Sequence, residues 1–159
     1  MTQKLTSLPL DFVLFGAGAG GREALAELAT LERFPNKIFD NNPSTWGKTL
    51  NGIEITQPQF TESLILIASM YAVDIAQQLQ QLDCNYIYFG PAFDRAEYFS
   101  PVSSDIVSYL KSVYIDSESA AVLDGLLRFR TSLNPLDLPE SSFSQYMHPV
   151  MGLQLGDHF

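Results

Sequence analysis

Asp11-Phe12-Val13-Leu14-Phe15-Gly16-Ala17-Gly18-Ala19-Gly20-Gly21-Arg22 is the stretch on which the reading of this chain turns. Its first five residues form a short apolar run that stops abruptly at glycine, the pattern of a parallel strand covered on both faces by helices. Residues 21–34 then switch to helical spacing. Ala24, Leu25, Leu28 and Leu31 share one face, Glu23, Glu27 and Glu32 lie off it, and Pro35 with Asn36 ends the helix. Between strand and helix stands Gly16-x-Gly18-x-x-Gly21. The first glycine allows a tight turn, the second lets backbone approach a pyrophosphate with no Cβ between, and the third lets the helix sit close on the sheet. In the loop Gly16, Ala17, Gly18, Ala19, Gly20, Gly21, unpaired N–H groups of the first helical turn face the place of a phosphate. Arg22 either adds a charge-assisted hydrogen bond there or is a solvated residue of the first turn.

Further on, Lys37-Ile38-Phe39-Asp40 reads as a very short strand that leaves an acid at its carboxyl end. The spacing from the glycines is close to the ~20 residues at which a carboxylate accepts both hydroxyls of a ribose, with Asn41 beside it. The plainer reading is that the glycines only turn the chain and Asp40 caps the Asn41-Asn42-Pro43 turn. An acid at this place favours a free 2′-hydroxyl over a 2′-phosphate, so NAD or a nucleoside-diphosphate sugar is preferred to NADP. Asn51-Gly52 is a tight turn before a third strand, Ile53-Glu54-Ile55. Leu64-Ile65-Leu66-Ile67-Ala68 is the most apolar run and reads as a central strand. Ser69 follows it, either lining the ligand crevice of an open α/β sheet or serving as an ordinary loop serine. Ala72, Ile75, Ala76, Leu79 and Leu82 mark a second long helix, and Asn85-Tyr86-Ile87-Tyr88-Phe89 a fifth strand closed by Gly90-Pro91. Strands alternating with helices predict an α/β fold, a three-layer Rossmann-like domain over residues 9–92 with a mainly parallel sheet of about five strands. Residues 93–159 read as a helical extension and linker-like tail. Asp116 or Ser117 caps a helix through Arg130, and the segment from Thr131 to Phe159 looks irregular.

Composition narrows the function classes. The 159 residues carry a formal net charge of −9, which disfavours general binding to nucleic acid or to an anionic membrane surface. The single cysteine, Cys84, permits no intrachain disulfide, and its apolar setting makes it a packing residue. No signal peptide and no run of roughly 18 apolar residues is evident, so the expected location is cytoplasmic. Chemistry-bearing constellations are scarce. None of Tyr71, Tyr86, Tyr88, Tyr98, Tyr109, Tyr114 and Tyr146 has a lysine four positions on, as a short-chain-type oxidoreductase requires. His148 and His158 lack metal-ligand spacing, and Lys48 is too far from the glycines to be a phosphate-loop lysine. No catalytic residue and no metal site is assigned. Trp46, Phe60 and Tyr71 either stack on a base or are ordinary packing residues.

The runs Val13 to Arg22, Phe39-Asp40-Asn41-Asn42-Pro43-Ser44-Thr45-Trp46-Gly47 and Leu50-Asn51-Gly52-Ile53 resemble Rossmann-like domains of sugar-nucleotide metabolism. The resemblance is closest to the N-terminal domain that precedes the catalytic domain in some FkbM-type methyltransferases. The stretches Ile115-Asp116-Ser117-Glu118-Ser119, Leu127-Arg128-Phe129-Arg130 and Gln145-Tyr146-Met147-His148-Pro149 resemble the connector that leads into that catalytic domain. In the family the S-adenosylmethionine-binding domain would begin after about Asp157, and this chain ends at Phe159. The resemblance therefore implies a detached or truncated accessory domain, or a stand-alone relative, non-catalytic by itself, that holds a small nucleotide and partners a methyltransferase domain. Two other classes stand beside it: a small NAD-dependent sugar-nucleotide oxidoreductase, and a ligand-free domain for homo-oligomerisation or scaffolding.

Overall fold

The computed structural model describes residues 8–89, 103–113 and 116–138. The chain divides into two compact units, Met1–Tyr98 and Phe99–Phe159.

In the first unit the apolar runs form strands as their patterning demands. β1 is Phe12–Phe15, β2 Lys37–Phe39, β4 Ile53–Thr56, β5 Leu64–Ile67 and β6 Tyr86–Tyr88. β3, Thr49–Leu50, is an addition to the expected set and makes the sheet six-stranded, in the order β3-β4-β2-β1-β5-β6. All neighbours run parallel except β3 and β4, an antiparallel hairpin with Thr49 opposite Glu54. Its two-residue turn has positive φ at both Asn51 (52°) and Gly52 (82°), the geometry that matches strand twist.

Helix α1, Ala19–Thr30, joins β1 to β2, and helix α2, Ala72–Gln81, joins β5 to β6. The two connections step across the sheet in opposite directions, and right-handed crossovers therefore put the helices on opposite faces. Gly21, Ala24, Leu25 and Leu28 of α1 are buried, as are Ala72, Ile75, Ala76 and Leu79 of α2. Between them Phe12, Leu14, Ile38, Ile65, Leu66 and Ile67 are wholly enclosed, which is why these strands are apolar on both faces. The connection from β4 to β5 carries no helix: residues 57–63 alone take the chain from one side of β1 to the other.

Two boundaries differ from expectation. α1 begins within the glycines and stops at Thr30, four residues before Phe34. Glu32 turns into the left-handed region (φ 56°), and the Arg33 N–H returns to Leu28 O at 3.0 Å. Arg33 also donates through Nη2 to the carbonyl of Leu8. At the far edge Tyr88 is 6 % exposed, and burial pushes its phenol up to about 12.

The second unit contributes α3, Ser104–Val113, and α4, Ser117–Ser132. Asp116 caps α4, accepting the Ser119 N–H at 2.7 Å, and this bond lowers its carboxyl below the ordinary value. The segment expected to be irregular from Thr131 is partly ordered. Leu133 closes the helix in the left-handed region, Pro135–Asp137 forms a 3-10 turn, and Leu133, Pro135 and Leu138 are buried. Gly90, Pro91, Ile115, residues 145–149 and His158 lie outside the described residues.

Candidate functional site

The strand order reverses between β1 and β5. The chain winds outward from β1 through β2 to β4, then returns to the other side of β1 for β5 and β6. In an open α/β sheet that point leaves a crevice at the carboxyl ends of the strands, and the loop after β1 opens into it.

Each loop glycine has its own environment. Gly16 has φ +119°, and a Cβ there would meet Ala68 O at 2.7 Å. Its N–H donates to Phe39 O at 2.8 Å, which ties the loop to the end of β2. A Cβ on Gly20 would also meet Ala68 O at 2.7 Å, and one on Gly21 would meet Gly16 O at 1.9 Å. Three of the four glycines are thus required by the protein's own packing. Gly18 is different. A Cβ there meets nothing within 4 Å, and its φ of −78° and ψ of −155° are extended backbone open to any residue. Gly18 is the N-cap of α1, makes no side-chain capping bond, and is followed by a first turn with no acidic residue. Within α1 itself no carboxylate stands at its positive end.

The acid arrives from the other side. Asp40 follows β2, and its Oδ2 accepts the Ala17 N–H at 2.7 Å while its Oδ1 accepts the Asn42 N–H at 2.8 Å. The Asp40 N–H donates to Thr56 O (3.1 Å), and Trp46 Nε1 donates to Asp40 O (2.7 Å). Asn42 Oδ1 accepts the Ser44 N–H (3.0 Å) and caps the short Pro43–Thr45 turn. Beneath the loop, Phe15 and Phe39 pack edge to face with centroids 6.3 Å apart. Loop and acid therefore stand on a buried aromatic pair.

Of the expected site residues, the structure brings together Gly16, Ala17, Gly18, Ala19, Gly20, Gly21 and Asp40, with Ser69 next to Ala68 at their edge. The Ser69 hydroxyl accepts the Tyr71 N–H at 3.2 Å. Arg22 is exposed, and its side chain makes no hydrogen bond or ion pair among the described residues. Asn41 points elsewhere: its carboxamide pairs with that of Gln78 on α2, at 2.9 and 3.1 Å. Sequence reasoning missed two features. Gly20 packs against Ala68, for which the doubled glycine was the available signal, and the Ala17 N–H is held by Asp40, for which there was none. Tyr71 (64 % exposed) stands past β5, and Phe60 (58 %) lies in the helix-free connection. Among the described residues no group of three or more His, Cys, Asp or Glu could hold a metal ion. No helix among them is long and apolar enough to cross a membrane.

No protein-family model matches the chain, and no curated protein is similar to it in sequence. Several solved structures are similar in part, two of them as follows. A Rex-family repressor is 16 % identical with a TM-score of 0.41, the match covering 57 % of this chain and 49 % of the repressor, so that it spans about half of the repressor's length. UDP-D-quinovosamine 4-dehydrogenase from Vibrio fischeri is 18 % identical with a TM-score of 0.42, the match covering 69 % of this chain and 96 % of the dehydrogenase.

Proposed function

We propose that the chain is a nucleotide-binding module whose ligand is NAD or a nucleoside-diphosphate sugar. The diphosphate lies against the first turn of α1, and Asp40 accepts hydrogen bonds from a ribose diol. The observation that carries this reading is Gly18. Nothing in the chain's own packing or dihedrals requires a glycine there, yet the position lies at the N-cap of an uncapped helix at the switch point of the sheet. Space that a Cβ would fill is what close approach of a pyrophosphate needs. The two Asp40 oxygens each accept one backbone N–H, which leaves lone pairs for two hydroxyls. On the resemblance of its loops, we place the module beside an FkbM-type methyltransferase in cytoplasmic polysaccharide or glycolipid modification, with no catalytic step of its own.

The test is a thermal-shift screen over NAD, NADP, UDP- and GDP-sugars and S-adenosylmethionine. A ligand at 100 times its Kd adds about 2.7 kcal/mol to folding, an easily read rise in Tm. Gly18→Val should abolish the rise and leave the ligand-free Tm within a few degrees of the parent, because its side chain enters open space. No shift with any of these compounds overturns the reading.

A further inference from the structure

We infer that Asp40 is also the positioning residue of the phosphate loop, holding it in binding form before a ligand arrives. The inference rests on the nucleotide reading above and deepens it: the site selects ligands that join a diphosphate to a ribose, because one carboxylate serves both halves.

Asp40 Oδ2 accepts the Ala17 N–H at 2.7 Å across 23 residues of sequence, from the end of one strand to the loop after its neighbour. Ala17 is 8 % exposed, so water does not readily replace this partner. Gly16, immediately before it, sits at φ +119° with its own N–H donated to Phe39 O. Two successive N–H groups of the loop are thus fixed by the end of β2, one by a carbonyl and one by a charged carboxylate. The second bond turns the Ala17 peptide, and with it the direction in which the next residues, Gly18 and Ala19, present their backbone. The carboxylate is itself held, since Oδ1 accepts the Asn42 N–H at 2.8 Å and Trp46 Nε1 binds the Asp40 carbonyl at 2.7 Å.

Electrostatics and loop geometry make opposite predictions for a ligand that has phosphates and no ribose. Removing a negative charge beside the site strengthens the binding of an anion. Releasing the Ala17 N–H weakens it, because the loop must then be ordered by the ligand. Inorganic pyrophosphate and ADP are the probes, measured by calorimetry on the full chain, with Asp40→Ala and Asp40→Asn. The Ala17 amide resonance is followed in each ligand-free protein.

Asp40→Ala should weaken pyrophosphate about tenfold, the loss of one hydrogen bond to a charged group. It should weaken ADP further, and move the Ala17 amide upfield. Asp40→Asn keeps a carbonyl acceptor for Ala17, so it should restore pyrophosphate binding to the parent level or above while ADP stays weak. An unchanged or tighter pyrophosphate affinity in Asp40→Ala overturns the positioning role and leaves the nucleotide reading standing. Failure of the parent to bind either probe overturns the positioning role, and the nucleotide reading falls with it only if the thermal-shift screen is blank as well. Melting curves of the two variants show whether each is folded, and the asparagine variant decides the question if the alanine variant is not.

Discussion

A glycine can be kept for what surrounds it or for what approaches it, and this loop holds both kinds within six residues. Gly21 is the first kind. A methyl group there would lie 1.9 Å from the Gly16 carbonyl oxygen, and both partners are backbone, so neither can swing aside. Gly21→Ala should cost about 3 kcal/mol, at the upper end for forced overpacking, read as a lower urea midpoint with an unchanged m-value. On the nucleotide reading proposed above Gly18 is the second kind, and Gly18→Val should lower that midpoint only by the ~1 kcal/mol that a poorer N-cap residue costs. A comparable loss of stability in the two variants would remove the distinction. The same contrast divides the polar residues. Asp40 spends its carboxylate inside the site, whereas Asn41, one residue on, spends its carboxamide on Gln78.

Among the elements, β6 makes the clearest pH prediction. Tyr88 ends it, and burial raises its phenol from 10.0 to about 12. A folded value above the unfolded one means a contribution fully present below pH 10 and lost as pH rises toward 12, of roughly 3 kcal/mol. Alkaline unfolding followed at 295 nm should therefore carry a late-titrating tyrosine that ionises with the loss of fold, and Tyr88→Phe should flatten that limb. Ionisation of every tyrosine near pH 10 would contradict the burial of this one. Elements long enough to show periodicity could be read from the chain directly: β1, β5 and α2 lie where their apolar residues put them. Thr49–Leu50 could not, because two residues have no period, and only the Asn51-Gly52 turn hinted at a hairpin. The ends of α1 were hidden at both sides. Its first turn is built on glycines, which are poor helix formers, and its last gives way through Glu32, a residue with no reputation for the left-handed region. The place of Asp40 at the end of β2 was legible from spacing, but its bond to Ala17 was not, since a backbone N–H has no side-chain signature.

At the scale of the molecule, all six strands and the helices α1 and α2 fall within Met1–Tyr98. Residues 1–98 expressed alone should unfold cooperatively in a circular-dichroism melt and give the same nucleotide-induced rise in Tm as the full chain. A fragment that melts without a transition would show that the second unit is needed to complete the core. The overall charge of −9 opposes the approach of any anion, so the ligand proposed above depends on the short-range set of N–H groups in the loop. That set does not move alone. The carbonyl of Ala68 lies so near Gly16 and Gly20 that neither could carry a methyl group, and the Ala68 N–H is bonded to Phe15 O at 2.9 Å. Loop and the end of β5 thus meet at one residue, Ala68. Ala68 leads directly into Ser69, whose hydroxyl accepts the Tyr71 N–H at 3.2 Å, so the backbone that the glycines lean on is the same backbone that opens α2.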